Sequence, residues 1–157
     1  MAYPNVKSGF TIRERGRANF GALFLAGKQF ASKMNFAIAQ GATSNITLVT
    51  MQLADKNNNP MAEDGGNCTV LDVYLSDSAV GAGITATTAS GAVAAGSKGA
   101  VLATPTASKM LRVVTDVNGV FQLSITDTAK TLFYVCAVLP GTHIVVASRK
   151  LVAGDYK

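Results

Sequence analysis

Tryptophan is absent from the chain, histidine occurs once, cysteine twice, and only 15% of the 157 residues are charged. Each scarcity removes a class of function. The lone His143 would need a nucleophile and an orienting partner to act as a general base, and no motif supplies them. Two cysteines and one histidine do not have the spacing of a zinc site. Gly81-Ala82-Gly83 is too little for a phosphate loop, because no Gly-Lys-Ser/Thr and no strand-to-helix context follow. Asp55, Asn57 and Asn59 match the opening of a calcium loop. Pro60 then stands where glycine is required, and Gly66 where the bidentate glutamate belongs. The expectation is a protein that is not an enzyme, with no catalytic residue, no cofactor and no metal.

Long apolar runs are also missing. Near the N-terminus the longest uninterrupted run is Ala22–Ala26, far short of the ~20 residues of a spanning helix. The spread of basic residues from Lys7 to Lys28 does not fit a secretory signal, so folding in a cytoplasm and no membrane association are expected. In that compartment Cys68 and Cys136, both in predicted strands, read as two buried thiols. An inter-sheet disulfide is the other arrangement a sandwich allows.

What is present is alanine, valine, glycine, threonine and serine, with a positive mean hydropathy of +0.28. β-Branched residues and turn formers favour short strands over long helices. A chain of this length makes one domain with a sizeable core. A surface so poor in charge suggests that part of it is covered by a partner.

Charge is unevenly placed. Lys7, Arg13, Arg15, Arg17, Lys28 and Lys33 against Glu14 give residues 1–40 a net +5. From residue 41 onward eight basic and eight acidic residues cancel. Residues 1–40 also hold Phe10, Phe20, Phe24, Phe30 and Phe36, five of the seven phenylalanines. Pro4, Gly9 and Gly16 oppose a helix, although a short helical turn fits Gly21–Met34, weakened by Gly27. The segment reads as a basic, Phe-rich arm over 1–40. Three uses compete: a nucleic-acid tail, a membrane-surface helix, or an arm laid over an acidic protein surface. The third is favoured, since aromatic and arginine anchors suit protein interfaces. The blander reading is that Phe30 and Phe36 cap the core of the following domain.

Gly41–Ser44 reads as a hinge into a domain over 41–157. Ile46–Ala54 is a strand with Thr47, Val49, Met51 and Leu53 on one face, followed by the turn Asp55–Pro60. Cys68–Leu75 is a strand in which Val70 alternates with Asp72 and Leu71 with Val73, so neither face is purely apolar. Ala79–Ser108 is built almost wholly of small residues, and thin strands and exposed loops are expected there. It is either a mobile loop or a flat surface for close backbone approach. Met110–Thr115 and Val120–Thr126 flank Asp116–Gly119, the strongest hairpin signal in the chain. Phe121, Leu123 and Ile125 alternate there with polar residues. Leu132–Leu139 and Ile144–Ala147 form a further hairpin, and Lys150–Lys157 a short tail. Some seven strands at this spacing indicate an antiparallel sandwich.

The stretches TLVTMQLADKNNNPMA and VVTDVNGVFQLSITDT resemble bacterial immunoglobulin-like domains of the invasin and intimin type. Together with VLDVYLSDSAVGAGITATTASGAV and LVAGDY they resemble tailed-phage virion structural proteins of this size. The resemblance covers about Met34 to Tyr156 and rests on structural motifs. It implies an all-β, antiparallel immunoglobulin-like β-sandwich preceded by an extended N-terminal arm. It further implies a capsid decoration, or cement, protein that binds the outside of the head and joins neighbouring capsid subunits. The expected partners are the major capsid protein and further copies of the chain, as a dimer or trimer, with no nucleic acid; the expected location is the virion surface. Arg13, Arg15, Arg17, Phe20 and Phe24 are the candidate capsid-binding anchors. The alternative is an immunoglobulin-like adhesion module of a tail or fibre, binding a host surface through loops between Ser76 and Ser108.

Overall fold

In the computed structural model the residues described are 31–61 and 68–157. They form nine strands: β1 (Lys33–Gln40), β2 (Ile46–Ala54), β3 (Val70–Ser76), β4 (Val93–Ala95), β5 (Ala100–Thr106), β6 (Met110–Val114), β7 (Val120–Thr126), β8 (Tyr134–Val138) and β9 (Val145–Ala147). All pairings are antiparallel. One sheet has the order β1-β2-β7-β4 and the other β5-β6-β3-β8-β9. The sets β1-β2-β7 and β3-β8-β9 follow the A-B-E and C-F-G order of an immunoglobulin sandwich. With β4 beside β7 the first sheet completes the A-B-E-D order, and the departure lies between β4 and β7, where the hairpin β5–β6 widens the second sheet beside β3.

Period-two patterning builds the core. Val49, Met51 and Leu53 of β2 and Phe121, Leu123 and Ile125 of β7 face Leu71, Val73 and Leu75 of β3, Leu111 and Val113 of β6, and Val135 and Ala137 of β8 in one buried cluster. Thr47 is buried with them on β2, as its alternation predicts. On β3 the Leu71–Val73–Leu75 face is wholly apolar. The mixed character expected of both faces belongs only to Val70, Asp72 and Tyr74.

Several sequence expectations are corrected. The first concerns the arm, which ends before residue 33 rather than at residue 40. Lys33–Gln40 is instead strand β1, paired residue for residue with β2 from Lys33↔Ala54 to Gln40↔Thr47. Met34 is buried, and Phe36 and Ile38 pack against the core, so Phe36 does cap it. Gly41–Ser44 is therefore a hairpin connection rather than a hinge, closed by Gly41 donating to the Ile46 carbonyl at 2.8 Å. The helical turn expected over Gly21–Met34 lies mostly outside the described residues, and its last residues, Lys33 and Met34, are in β1.

A second correction concerns Asp116–Gly119. The turn is present: Gly119 has φ +70° and donates to the Asp116 carbonyl. The strands on either side do not pair, because β6 and β7 belong to different sheets. Only Gly119 takes a positive φ, so the geometry is not that of the two-residue hairpin with both central residues left-handed. A Cβ on Gly119 would collide with the Met61 carbonyl oxygen, so backbone from another connection packs directly on this corner.

The third correction is the C-terminus. Lys150–Lys157 is no loose tail, because Leu151 and Tyr156 are among the fully buried side chains. Leu151 donates its amide to the Phe133 carbonyl, and the Tyr156 hydroxyl donates to the Thr131 carbonyl. Ala79–Ser108 contributes β4, β5 and the buried Thr85 and Ala89, so its small residues form the thin strands expected.

Candidate functional site

The described carboxylates are consumed by the fold. Asp55 accepts from the Asn57 and Asn59 amides, both at 2.8 Å, and from Asn59 Nδ2. This caps the turn the sequence suggested, and the Asn59 bonds hold the Asp55 carboxyl below its ordinary value. Asp77 accepts from Thr85 Oγ1 at 2.7 Å and from the Ala86 amide. Asp116 accepts from the Asn118 and Val120 amides. Asp127, fully buried, accepts from the amides of Ser90, Ala129 and Thr131 and ties β4's approach to the β7–β8 connection. Burial opposes its charge, yet these bonds leave its pKa lowered. Asp155 accepts two bonds from the Arg149 guanidinium, at 2.8 and 2.6 Å, and one from the Val152 amide. A carboxylate committed to several amides is a strong turn cap.

Asp72 is the one described acid on a strand. Arg112, its cross-strand neighbour, donates to both of its oxygens at 2.8 and 3.0 Å. The pair forms one wall of a shallow cleft of about 200 Å³, with Val70, Val138, Pro140 and His143 around it. His143 sits in the β8–β9 turn with φ +54° and is exposed. Among the described residues no nucleophile lies at hydrogen-bond distance from its ring. Among the described residues no three His, Cys, Asp or Glu side chains converge as a metal-binding group.

The two thiols are free and differ from each other. Cys68 lies just before β3 and is exposed, which corrects the expectation that both are buried in strands. Cys136 is buried on β8, and burial pushes its thiol up to about 11. It faces away from the core, beneath the 77–85 connection. A Cβ placed on Gly81 would meet Val145, the Tyr74 hydroxyl and the Cys136 sulfur. Tyr74 holds that connection by donating to the Gly81 carbonyl at 2.6 Å.

Among the described residues the outer surfaces of the two sheets are open to a partner. Across all nine strands the only charged residues are Lys33, Asp72 and Arg112. The outer face of the four-stranded sheet carries the row Ala39, Leu48, Ser124 and Ala94 and, beside it, Ala37, Thr50 and Gln122. Gln122 Nε2 donates to Thr50 Oγ1 at 3.1 Å, which holds the long side chain down on the face. The outer face of the five-stranded sheet carries Val70 beside Val114 and Val138 beside Val145, with the Asp72–Arg112 pair between them. Val70 and Val145 remain 48% and 37% exposed. Charge-poor faces share one property of interface centres, the depletion of charged residues, but their alanine and serine are not residue types enriched there.

The predicted anchors Arg13, Arg15, Arg17, Phe20 and Phe24 lie outside the described residues. The sheet faces were missed by sequence reading, although the signal was there: three charges in nine strands is visible once strand limits are known. No family model matches the chain, and no curated protein and no solved structure matches it.

Proposed function

We propose that the chain is a structural, non-enzymatic binding protein, and specifically a decoration protein of a phage head. In this reading it engages the major capsid protein through the basic N-terminal segment and joins neighbouring capsid subunits. The observation that supports a binding role is the partition of charge: carboxylates are spent on turns, and both sheet faces are left nearly neutral. The phage assignment rests on the sequence resemblance. Many weak joints on one shell act together, because each tethered contact closes at high effective concentration. Arg13, Arg15 and Arg17 would supply bidentate pairs to carboxylates, and Phe20 and Phe24 would fill pockets.

Two measurements test this. The first is copy number per virion relative to the major capsid protein, by quantitative mass spectrometry. A simple fraction of the shell subunits supports head decoration. A handful of copies supports the tail or fibre alternative, and absence from particles overturns both. The second is head binding by a truncated chain. The cut must fall after Phe30, because removing residues 1–40 would also delete β1 and expose the core beside β2. The expected product, 31–157, keeps the whole described core and loses head binding. Binding at full strength would overturn the assignment of the anchors.

A further inference from the structure

A sandwich with open sheets has four edges, and each must be protected or paired. Three of the edges here are protected. β4 and β9 are three residues long. β5 carries Pro105 and two register shifts against β6. Short strands, proline and bulges are the devices that stop an edge from recruiting another strand.

The fourth edge, β1, has none of them. It runs eight residues in unbroken register with β2 and contains neither proline nor glycine. No other described strand pairs with it. Gly41 bonds to Ile46, which places the odd-numbered residues of β1 in the hydrogen-bonded positions against β2. The amides and carbonyls of Met34, Phe36 and Ile38 then point away from the sheet. Phe36 and Ile38 turn their side chains to the core yet remain only partly buried. Added backbone at this edge would both satisfy the polar groups and cover these two side chains.

The geometry points to a second copy of the chain as the occupant, through antiparallel pairing of β1 with the partner's β1 about a two-fold axis. The edge suits itself in charge and in shape. Its one charge, Lys33, lies at the end of the strand, so two-fold pairing brings it opposite Ala39 or Gly41 of the partner rather than another lysine. The outward side chains at the centre, Asn35, Ala37 and Ala39, are small and neutral and present no clash. Hydrogen-bonding parity demands that outward residues meet outward residues, which brings Ala37 opposite the partner's Ala37 or Asn35. The product is one continuous sheet of eight strands with both cores on the same side. Such an isologous contact closes at two copies. It assigns the expected self-association to a dimer and does not rest on the head-binding reading, because it is read on the purified chain alone.

The test is sedimentation of the full chain across concentration, with three substitutions at the exposed Ala37. A single strand seam lies at the small end of interfaces, so a dissociation constant on the order of micromolar is expected. Ala37→Lys and Ala37→Asp should each weaken the dimer about fivefold, as like charges meet across the seam. Mixing the two variants should restore association. In a Cys68→Ser background, Ala37→Cys in the first of these registers, or the Asn35→Cys/Ala37→Cys double variant in the second, should form a covalent dimer on mild oxidation, since non-hydrogen-bonded antiparallel pairs lie within disulfide reach. Thr104→Cys on the protected β5 edge should not. A chain that stays monomeric at several hundred micromolar, on the order a weak interface requires, overturns the inference. So does a dimer indifferent to both charges and uncrosslinked by either cysteine arrangement, which would use another surface.

Discussion

The buried C-terminus gives the sharpest stability prediction. Tyr156 is 2% exposed, belongs to the main core cluster, and donates its hydroxyl to the Thr131 carbonyl at 2.8 Å. Tyr156→Phe removes only the donor and leaves that carbonyl without this bond, a loss of about 1–3 kcal/mol. Tyr156→Ala removes the ring as well and leaves a cavity in the main core cluster. Large aromatic truncations of this kind cost about 3–5 kcal/mol. The assay is urea denaturation of the full chain and of 31–157, comparing midpoints at constant slope. The two losses should rank in that order and be equal in both chains, because Tyr156 packs within 31–157. A Tyr156→Ala protein that unfolds within about 0.5 kcal/mol of the parent, the range of an ordinary surface substitution, would refute the placement of the tail in the core.

Three further outcomes concern one glycine, two cysteines and five aspartates. Gly119→Ala forces a left-handed φ on a residue with a side chain and drives its Cβ into the Met61 carbonyl, so a loss of about 1–3 kcal/mol is expected in the same denaturation assay. Alkylation of the native protein at pH 8 should label Cys68 and spare Cys136 until denaturant is added, because Cys136 is buried and its thiol is pushed up to about 11. Stability should be level near neutrality and fall on acidification. Asp55, Asp72, Asp77, Asp127 and Asp155 all have lowered pKa values in the fold. The unfolded chain therefore takes up protons first, so the stabilisation present above about pH 4 is lost as pH drops through the native values. Melting temperatures measured from pH 7 to pH 3 check this, and a rise toward pH 3 would contradict the assigned hydrogen bonds.

Much of the fold was legible because β2 and β7 alternate cleanly. ITLVTMQLA and VFQLSIT place their apolar sets on one face with no competing pattern, and both faces are where the alternation puts them. The β8–β9 hairpin was legible from its turn, since Pro140-Gly141 separates two β-rich runs that do not alternate. What failed was anything that depends on which sheet a strand joins. Asp116–Gly119 specifies a tight reversal, and local turn chemistry is the same whether the next strand pairs with the last or crosses to the opposite sheet. Strand β1 was hidden by composition: its lysine and phenylalanine continue the basic, Phe-rich pattern that precedes it, although KMNFAIAQ contains its own alternation of Met34, Phe36 and Ile38. The tail escaped because Leu151 and Tyr156 are too far apart to show a period. Their burial is set by the gap at the end of the sandwich, a tertiary property.

The same local economy explains the surface. An aspartate at a turn satisfies two or three amides that the reversing backbone would otherwise leave unpaired, so turns draw acidic residues for structural reasons. Asp55, Asp116 and Asp127 follow this rule, Asp77 accepts one amide and the Thr85 hydroxyl, and Asp155 adds an arginine clamp. Once the acids are drawn to the sheet ends, the strands need few bases to balance them, and the faces are left neutral. In the proposed function two kinds of contact then separate. Attraction through Arg13, Arg15 and Arg17 is long-ranged and weakens with salt. Contact through a neutral face or the β1 edge is short-ranged and does not. Head binding should therefore slow in its association rate as salt rises, while the dimer constant of the purified chain stays nearly unchanged. Equal salt sensitivity of both would mean that the basic segment also holds the copies together, and the division drawn between segment and sandwich would be wrong.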